Sequence, residues 1–464
     1  MQKIHVVAGG SQADPLSNTH KVVIGFSNIA GDEHGDPIVI VRGEGATIFD
    51  AKGADYIDAS ANFFSATFGF LESELIEAAE KQMRRIANYS TAYSRATEPV
   101  LELAERLAAL VPVRNARIGF ATSGSEANEF LLKFLMMRNA HRGQPMRRTV
   151  IARWGSYHGS TLLTSSLGGG DLLRDTYGIE GADFLNVSQP DMDDYARPGE
   201  TEDAFVRRLA DELDSVIRAR GAERVAAFVA EPISMSSGAA VPPAGYFPAL
   251  NEVLDRYGIP FIADEVITGF GRFGARFGSE KVALRPDGMT FAKGINSGFI
   301  PLAAFAISED LYEGVVDAVR PSGFLMHGGT YHGNPVAAAV ALKALDLYET
   351  RGVAANVERI GKVLERELTK RADHPLVRSV RHCGLAGSLK FDLGGINARP
   401  GEPKIAQRVV DAALKHRLLL RVSGGAINIG PPLVVTEAEI LELFRRFDLA
   451  LADTLADLKG RLPA

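Results

Sequence analysis

The sequence predicts an α/β protein with a large domain built on a mostly parallel, doubly wound sheet and a smaller α+β domain. In the middle of the chain, short apolar segments such as TVIAR (149–153), RVAAFVA (224–230) and IPFIAD (259–264) alternate with amphipathic stretches. Continuous apolar runs of this length are typical of parallel strands that helices cover on both faces. Beyond Pro335 the sequence becomes more helical, which predicts the second domain.

The first segment, residues 1–75, is predicted to be the N-terminal part of the smaller domain. Two β-like runs, at 37–50 and 53–60, are separated by turns that contain glycine. A helix is predicted near 74–86, where the chain passes into the large domain. The segment is therefore expected to form a small β meander.

The large domain is predicted to span residues 76–335. Its predicted helices and strands, in order, are a helix at 99–111, a strand at 117–122, a helix at 123–141, a strand at 149–153, a helix at 202–220, a strand at 224–230, a helix at 245–257, and strands at 259–264 and 289–292. Sheets of this kind bind ligands at the carboxyl ends of their strands, so the residues that follow the strands are candidates for the site.

Residues 336–464 are predicted to be the C-terminal part of the smaller domain. Amphipathic helices are expected at 357–372, 403–416 and 436–455, with strand-like runs at 387–393 and 417–423 between them. Thr436 and Glu439 have the spacing of a capping box, which marks the start of the last helix.

Composition excludes several classes of protein. The 464 residues carry 46% hydrophobic and 23% charged side chains with a net charge of −6, which excludes a disordered chain and disfavours a nucleic-acid binder. Cys383 is the one cysteine, so neither an internal disulfide nor a cysteine-based zinc site can form. Without an apolar run long enough for a membrane span or a Sec-type signal, the expectation is a soluble cytoplasmic protein. Many of its 47 glycines lie beside Ser, Asp, Lys and Thr.

Three short motifs carry candidate chemistry. In ATSGSEANE (121–129), Ser123, Gly124 and Ser125 open a predicted helix, whose free N–H groups can bind phosphate or can simply be capped. Asp264 ends an apolar strand, where a carboxylate can bind a metal or a protonated ring nitrogen, or cap a helix. Lys293 lies between an apolar strand and a glycine, where it is either a surface side chain or a buried nucleophile with a lowered pKa.

Together these residues are the parts of a pyridoxal 5'-phosphate site. The phosphate requires a helix N-terminus, the pyridine nitrogen requires a carboxylate that keeps it protonated, and the aldehyde requires a lysine. No metal ligand set is predicted.

The ordered motifs resemble those of the class III (subgroup II) aminotransferases, which are pyridoxal-phosphate enzymes of fold type I. The motifs that carry the resemblance are SGSEANE (123–129), YHGST (157–161), EP (231–232), DEVITGFGR (264–272), AKG (292–294), GGTYHGNPVAAA (328–339) and an R-x-x-G…PPL pattern (421–433). RWGSYHGST and DEVITGFGR are most similar to the ω-amine:pyruvate aminotransferases. The resemblance extends from about residue 36 to the C-terminus.

The resemblance implies roles for individual residues. Lys293 matches the Schiff-base lysine that also moves the proton, and Asp264 matches the partner of the pyridinium. Val266 would pack on one face of the cofactor ring, and Tyr157 would stack on the other with His158 beside it. Further cofactor contacts are implied for Ser123, Gly124, Ser125, Glu231 and, at the neighbouring subunit's phosphate, Thr330. A homodimer or a dimer of dimers with shared sites is therefore expected.

The resemblance also implies how substrates are bound. Arg421 matches an arginine that binds a substrate carboxylate and can swing away, and Glu231 is expected to pair with it when no acid is bound. Phe63, Phe64 and Tyr93 are expected to line an apolar substrate pocket, unless they are core aromatics. Ile267 stands where enzymes that use ornithine or 4-aminobutyrate tend to have Gln, and Ser234 replaces the Gln of the usual EPIQG motif.

The expected activity is ping-pong transfer of an amino group from an amine or ω-amino acid, hydrophobic or bulky, to pyruvate or another 2-oxo acid. An aminomutase, a racemase or a decarboxylase of the same family shares Lys293 and Asp264, so these alternatives stay open. A cofactor-binding regulator would need a DNA-binding module, and no basic patch precedes residue 36.

Overall fold

The computed structural model describes residues 22–26, 37–169, 177–178, 183–391 and 404–458. Its strands are β1 (Ile40–Glu44), β2 (Thr47–Asp50), β3 (Asp55–Asp58), β4 (Arg117–Ala121), β5 (Thr149–Arg153), β6 (Phe184–Val187), β7 (Val225–Ala230), β8 (Phe261–Asp264), β9 (Gly288–Phe291), β10 (Ala303–Ile307), β11 (Val377–Cys383), β12 (Ala386–Phe391), β13 (Leu418–Leu419), β14 (Val422–Ser423) and β15 (Ala426–Ile429).

Helices cover these strands and join them. They are α1 (Ser73–Arg85), α2 (Glu98–Leu110), α3 (Gly124–His141), α4 (Leu162–Leu167), α5 (Met192–Tyr195), α6 (Glu202–Arg220), α7 (Tyr246–Tyr257), α8 (Gly278–Lys281), α9 (Glu309–Val319), α10 (Pro335–Thr350), α11 (Val353–Thr369), α12 (Ile405–Lys415) and α13 (Glu437–Asp457). One further helical turn, Ala61–Phe64, has positive φ angles throughout. No helix in the described ranges is long and apolar enough to cross a membrane.

The central sheet has seven strands in the order β4-β10-β9-β8-β7-β5-β6. Only β10 runs antiparallel to its neighbours β4 and β9. Strands β7, β8 and β5 are buried along their whole length, as their unbroken apolar sequences predict. The predicted α/β fold with a mostly parallel sheet is confirmed.

Two smaller sheets join segments that are distant in sequence. Strand β13 pairs in parallel with β3, so the C-terminal segment completes the N-terminal meander in the order β1-β2-β3-β13. The third sheet is antiparallel, in the order β11-β12-β15-β14. One apolar core unites these sheets with α11, α12 and α13. The domain boundaries at 75 and 335 stay a prediction.

Several elements were not predicted from the sequence. Strands β6, β10, β11 and β15 and helices α9 and α10 were missed, and the single strand expected at 417–423 is two short strands in different sheets. The apolar run AAFAI of β10 is short, and the Gly and Pro residues before it are typical of a loop. The sequence pattern therefore did not indicate a strand there. The expected residues 392–393 and 403 lie outside the described residues.

The fold brings the candidate residues to one edge of the central sheet. Arg153 ends β5, Glu231 directly follows β7, Asp264 ends β8 and Lys293 lies two residues beyond β9. These four strands are parallel, so their carboxyl ends point the same way and their terminal side chains converge.

Candidate active site

The N-terminus of α3 forms one end of the site. The Ser123 hydroxyl caps the helix by accepting a hydrogen bond from the Glu126 amide at 3.2 Å, and the next N–H groups of the first turn lie at Gly124 and Ser125. A side chain at position 124 would place its Cβ 2.8 Å from Val266. Gly159, with a φ of +140°, would place a Cβ 2.5 Å from the Ser125 hydroxyl. Glycine is therefore required where these segments approach the helix N-terminus.

Asp264 is held by three hydrogen bonds at the end of β8. Its Oδ2 accepts from Asn128 Nδ2 at 2.9 Å and lies 2.8 Å from His158 Nδ1, while Oδ1 accepts from the Val266 amide at 3.0 Å. Asn128 is itself oriented by the Thr290 hydroxyl at 2.7 Å. Burial opposes a charge on His158, but the bond to Asp264 and the nearby Glu231 outweigh it, so the pKa of His158 is raised.

Glu231 is paired with Arg153 and not with Arg421, which corrects the expected Glu231–Arg421 pair. Its Oε2 lies 3.0 Å from Arg153 Nη2, and its Oε1 accepts from the hydroxyls of Ser234 and Ser236, each at 3.1 Å. Burial raises the pKa of Glu231, but His158 and Arg153 outweigh this effect, and the net pKa is lowered. The reason for the error is topological, because Arg153 and Glu231 lie at the ends of the neighbouring strands β5 and β7, whereas Arg421 lies in the link between β13 and β14 of the two smaller sheets.

Lys293 lies in a single 3-10 turn after β9, with a φ of 44°. Removal from bulk water is the main cause that lowers its pKa to about 8; Asp264 opposes this shift, and the charges of Arg421 and Arg272 add to it. A lysine with such a pKa is partly neutral near physiological pH and can act as a nucleophile or a base.

A cavity of about 760 Å³ connects these groups. Its lining includes two sets of residues: the predicted cofactor contacts Gly124, Ser125, Tyr157, His158, Glu231, Asp264, Val266 and Lys293, and the largely apolar set Phe26, Phe63, Phe64, Ile233, Met235, Ile267 and Arg421. We call these the cofactor end and the substrate end. At the substrate end the Arg421 guanidinium lies 4.3 Å from the centre of the Phe63 ring.

Three predicted site residues lie outside this cavity. The Tyr93 side chain is 76% exposed and packs against Phe324, and Thr330 is exposed on the loop before α10. Ser123 acts as the helix cap and does not line the cavity. Glu265, the second acid of DEVITGFGR, is buried away from the cavity and accepts from Ser279 and Gly278.

The cofactor end fits pyridoxal 5'-phosphate. It combines a glycine-lined helix N-terminus for the phosphate, a buried carboxylate for the ring nitrogen and a lysine of lowered pKa for the aldehyde. Val266 and Tyr157 both border the space between them.

Comparison with known proteins decides the family. Residues 29–451 match the family described as Aminotransferase class-III. The chain belongs to the class III aminotransferases. Its relatives include the vanillin aminotransferase of Capsicum chinense, 36% identical over 90% of this chain and 92% of that one. Gamma aminobutyrate transaminase 3, chloroplastic, of Solanum lycopersicum is also 36% identical, over 90% of this chain and 81% of the relative.

Solved structures of transaminases have the same fold as this class III aminotransferase over almost its whole length. A thermostable omega transaminase 6-fold mutant from Pseudomonas jessenii has a TM-score of 0.90 at 35% identity, covering 93% of this chain and 96% of the other. The PMP-bound form of an aminotransferase from Vibrio fluvialis has a TM-score of 0.89 at 32% identity, covering 94% and 97%. The enzyme is therefore a pyridoxal-phosphate-dependent transaminase of fold type I.

Sequence reasoning missed several residues of the site. Asn128 lies inside SGSEANE, and its position one helical turn after Gly124 could have placed it on the same face. Arg153 ends a strand that is otherwise apolar, and a charge there signals a buried ion pair. Ser236 and Phe26 had no local signal, because only the fold brings them to the cavity.

Proposed function

We propose that this aminotransferase moves an amino group from a hydrophobic or bulky amine or ω-amino acid to pyruvate or another 2-oxo acid by a ping-pong mechanism. The observation that carries the proposal is the composition of the substrate end. Six apolar side chains line this end together with one cation, Arg421, and within the described residues no carboxylate lies within 4.0 Å of that cation.

The two half-reactions place different demands on this end of the cavity. An apolar donor requires a surface of low polarity, which Phe63, Phe64 and Met235 supply. A 2-oxo acid requires a cation for its carboxylate, and an arginine binds such a group through two parallel N–H bonds. A cavity with both features can bind an apolar donor and a 2-oxo acid in turn at the same position.

The cofactor end supports the chemistry common to both halves. When bound, pyridoxal 5'-phosphate accepts electron density from the substrate carbon and carries the amino group between the two substrates. Asp264 would hold a proton on the ring nitrogen, with His158 and Asn128 fixing the orientation of its carboxylate. Lys293 Nζ would take the proton from the substrate Cα and deliver it to the C4′ carbon of the cofactor, so that the amino group can stay with the cofactor.

The proposal includes a homodimer or a dimer of dimers in the cytoplasm, with active sites shared between subunits. Thr330 and Tyr93 support a shared site, since both are exposed in one chain although the family motif that contains Thr330 is associated with cofactor binding. Light scattering of the holoenzyme measures the assembly, and a Thr330→Ala variant that binds pyridoxal 5'-phosphate as tightly as the wild type would contradict the shared site.

A half-reaction screen tests the substrate class. The holoenzyme is mixed with aromatic amines, ω-amino acids including 4-aminobutyrate, and α-amino acids, and the loss of the cofactor's yellow absorbance is followed. We expect aromatic or long-chain amines to bleach it fastest and to yield a keto product with one alanine per pyruvate. Bleaching by 4-aminobutyrate alone would overturn the proposal of a bulky apolar donor.

Two controls complete this test. Lys293→Ala removes the amine that joins the cofactor covalently, so the variant should lose the yellow absorbance and the activity together. Formation of an isomerised substrate or carbon dioxide without alanine would show a racemase, aminomutase or decarboxylase and would contradict amino transfer to pyruvate.

A further inference from the structure

A left-handed turn borders the substrate end of the cavity. The φ angles of Ala61, Asn62, Phe63 and Phe64 are 45°, 48°, 59° and 67°, and none of the four is glycine. Each such residue costs roughly 1–2 kcal/mol in the left-handed conformation. A run of this kind persists only where the surrounding structure holds it in place.

The Asp58 carboxylate is the main restraint on this turn. Asp58 ends β3 and is 8% exposed. Its Oδ1 accepts from the amide and the hydroxyl of Ser60, both at 2.8 Å, and its Oδ2 accepts from the Asn62 amide at 2.8 Å. Both oxygens are used, and the second one holds an amide inside the turn.

The buried Phe64 ring fixes the other end of the turn. It packs so closely on Gly430 that a Cβ at that position would lie 2.5 Å from the ring, and the Arg272 guanidinium lies 5.6 Å from the ring centre. Since Phe64 is anchored inward, the turn presents the preceding side chain, Phe63, outward into the cavity, where it is 42% exposed.

The Phe63 ring is the platform for Arg421. The guanidinium lies 4.3 Å from the Phe63 ring centre and 5.7 Å from that of Phe26. Its N–H groups make no hydrogen bond to any of the described residues in this structure. Partial burial without a counter-charge lowers the pKa of Arg421. Stacking on an aromatic face holds a guanidinium while leaving the N–H donors at its edge free.

We propose that Asp58 is a positioning residue that fixes the left-handed turn, and that the turn's Phe63 ring holds the Arg421 guanidinium ready to bind the carboxylate of a 2-oxo acid. The inference deepens the proposed function and rests on it for the identity of the substrate. An amine donor without a carboxylate does not need the guanidinium, so with such a donor Asp58 and Phe63 affect only the half-reaction of the 2-oxo acid.

Binding of oxamate, an unreactive carboxylate of the same shape as pyruvate, tests the platform directly. Isothermal titration of the holoenzyme gives its Kd without any turnover. Phe63→Leu removes the aromatic face and keeps an apolar side chain, so we expect the Kd for oxamate to rise about 2- to 30-fold. Phe63→Tyr keeps the face and should restore wild-type affinity. Equal affinities for the wild type and Phe63→Leu would overturn the platform.

Asp58→Asn tests the positioning role. The side-chain amide cannot accept from both Ser60 and Asn62, so the turn loses a restraint and the Kd for oxamate should rise in the same direction as for Phe63→Leu. Asp50→Asn is the matched control. Asp50 is equally buried, ends the neighbouring strand β2 and accepts from two backbone amides at 2.9 and 2.8 Å and from the Tyr56 hydroxyl at 3.2 Å, but none of these partners belongs to the left-handed turn.

The two substitutions separate positioning from general stability. We expect Asp58→Asn and Asp50→Asn to lower the thermal stability of the enzyme alike. Only Asp58→Asn should weaken the binding of oxamate. An equal effect of both on the Kd would overturn the positioning role. In turnover, KM for pyruvate should rise and KM for an aromatic amine should not. If the wild type fails to use pyruvate but the oxamate results hold, the proposed function fails and the platform stands.

Discussion

Two arginines near the active site are held in opposite ways. Arg153 lies behind the cavity-lining residue Glu231, fully buried on a central strand, and its guanidinium pairs with the buried Glu231 carboxylate. Arg421, at the substrate end, is half-buried and rests on an aromatic ring without a carboxylate partner among the described residues. The residue type is the same, yet the surroundings differ in charge, burial and hydrogen bonding.

The difference distinguishes an arginine that stabilises the fold from an arginine that is available to bind a ligand. A buried charge that is paired within the protein belongs to the framework, because removing its partner leaves an uncompensated charge in a region of low dielectric. A charge that faces a cavity without a counter-ion is instead ready for a ligand of opposite sign. Substitutions of the two arginines should therefore affect different measured quantities.

The largest expected effect is on the stability of the Arg153 variant. Arg153→Met leaves the Glu231 carboxylate buried beside an apolar side chain, so the free energy of unfolding should fall by about 3–5 kcal/mol. Chemical denaturation of the cofactor-free enzyme measures it. Arg153→Met combined with Glu231→Gln should recover part of the loss. A decrease below about 1 kcal/mol would contradict the view that this pair belongs to the framework.

The next effect is on the affinity for acids in the Arg421 variant. Arg421→Leu removes two charge-assisted hydrogen bonds to the substrate carboxylate, so kcat/KM for pyruvate should fall by about 100-fold or more. The free energy of unfolding should change by less than about 1 kcal/mol, since no internal ion pair is lost. Kinetics with pyruvate and denaturation of the same preparation check both statements. A strongly destabilised variant with unchanged pyruvate kinetics would show that Arg421 stabilises the fold and does not bind the substrate carboxylate.

A smaller effect concerns the pH at which Lys293 reacts. Only the neutral amine attacks the aldehyde, so the rate at which the cofactor-free enzyme forms its covalent link to added pyridoxal 5'-phosphate should rise up to tenfold per pH unit and level off above about pH 8. The positive charge of Arg421 lowers this pKa, so Arg421→Leu should move the midpoint to higher pH. Stopped-flow absorbance measures the midpoint, and an unmoved midpoint would show that Arg421 is screened from Lys293.

The smallest effect concerns the hydroxyls around Glu231. Ser234→Ala removes one of the hydrogen bonds to Glu231 Oε1, which should lower the free energy of unfolding by about 1 kcal/mol. Ser423→Ala, whose hydroxyl instead donates to the Ser236 carbonyl at 3.2 Å, is the comparison at the substrate end. Equal losses of stability in the two variants would mean that the hydrogen bond of Ser234 to the Glu231 carboxylate is no stronger than that of Ser423 to a backbone carbonyl.

The cofactor end was largely predictable from local sequence. Asp264 and Lys293 follow apolar strands, and Ser123 and Gly124 open a helix, so the order of the elements in an α/β sheet suffices to bring them to one edge. Missing strand β10 did not disturb this prediction, because β10 carries none of the site residues and its insertion between β4 and β9 leaves the site-bearing elements at the same edge of the sheet.

The substrate end was less predictable, because its residues come from three distant segments. Phe63, Met235 and Arg421 meet only because β13 pairs with β3 and the third sheet packs beside them. The expected pairing of Glu231 with Arg421 was wrong for the same reason. A family motif indicated which residues matter, but not which neighbour each one contacts.

The sequence by itself determined the family, the cofactor and the strand ends from which the cofactor site is built, since these depend on periodicity and on short motifs with fixed spacing. Only the tertiary structure decided that Arg153 is paired with a carboxylate and that Arg421, among the described residues, is not. Likewise, a run of four left-handed residues is contrary to local preference. It becomes stable only when Asp58 and the packing of Phe64 restrain it from opposite ends.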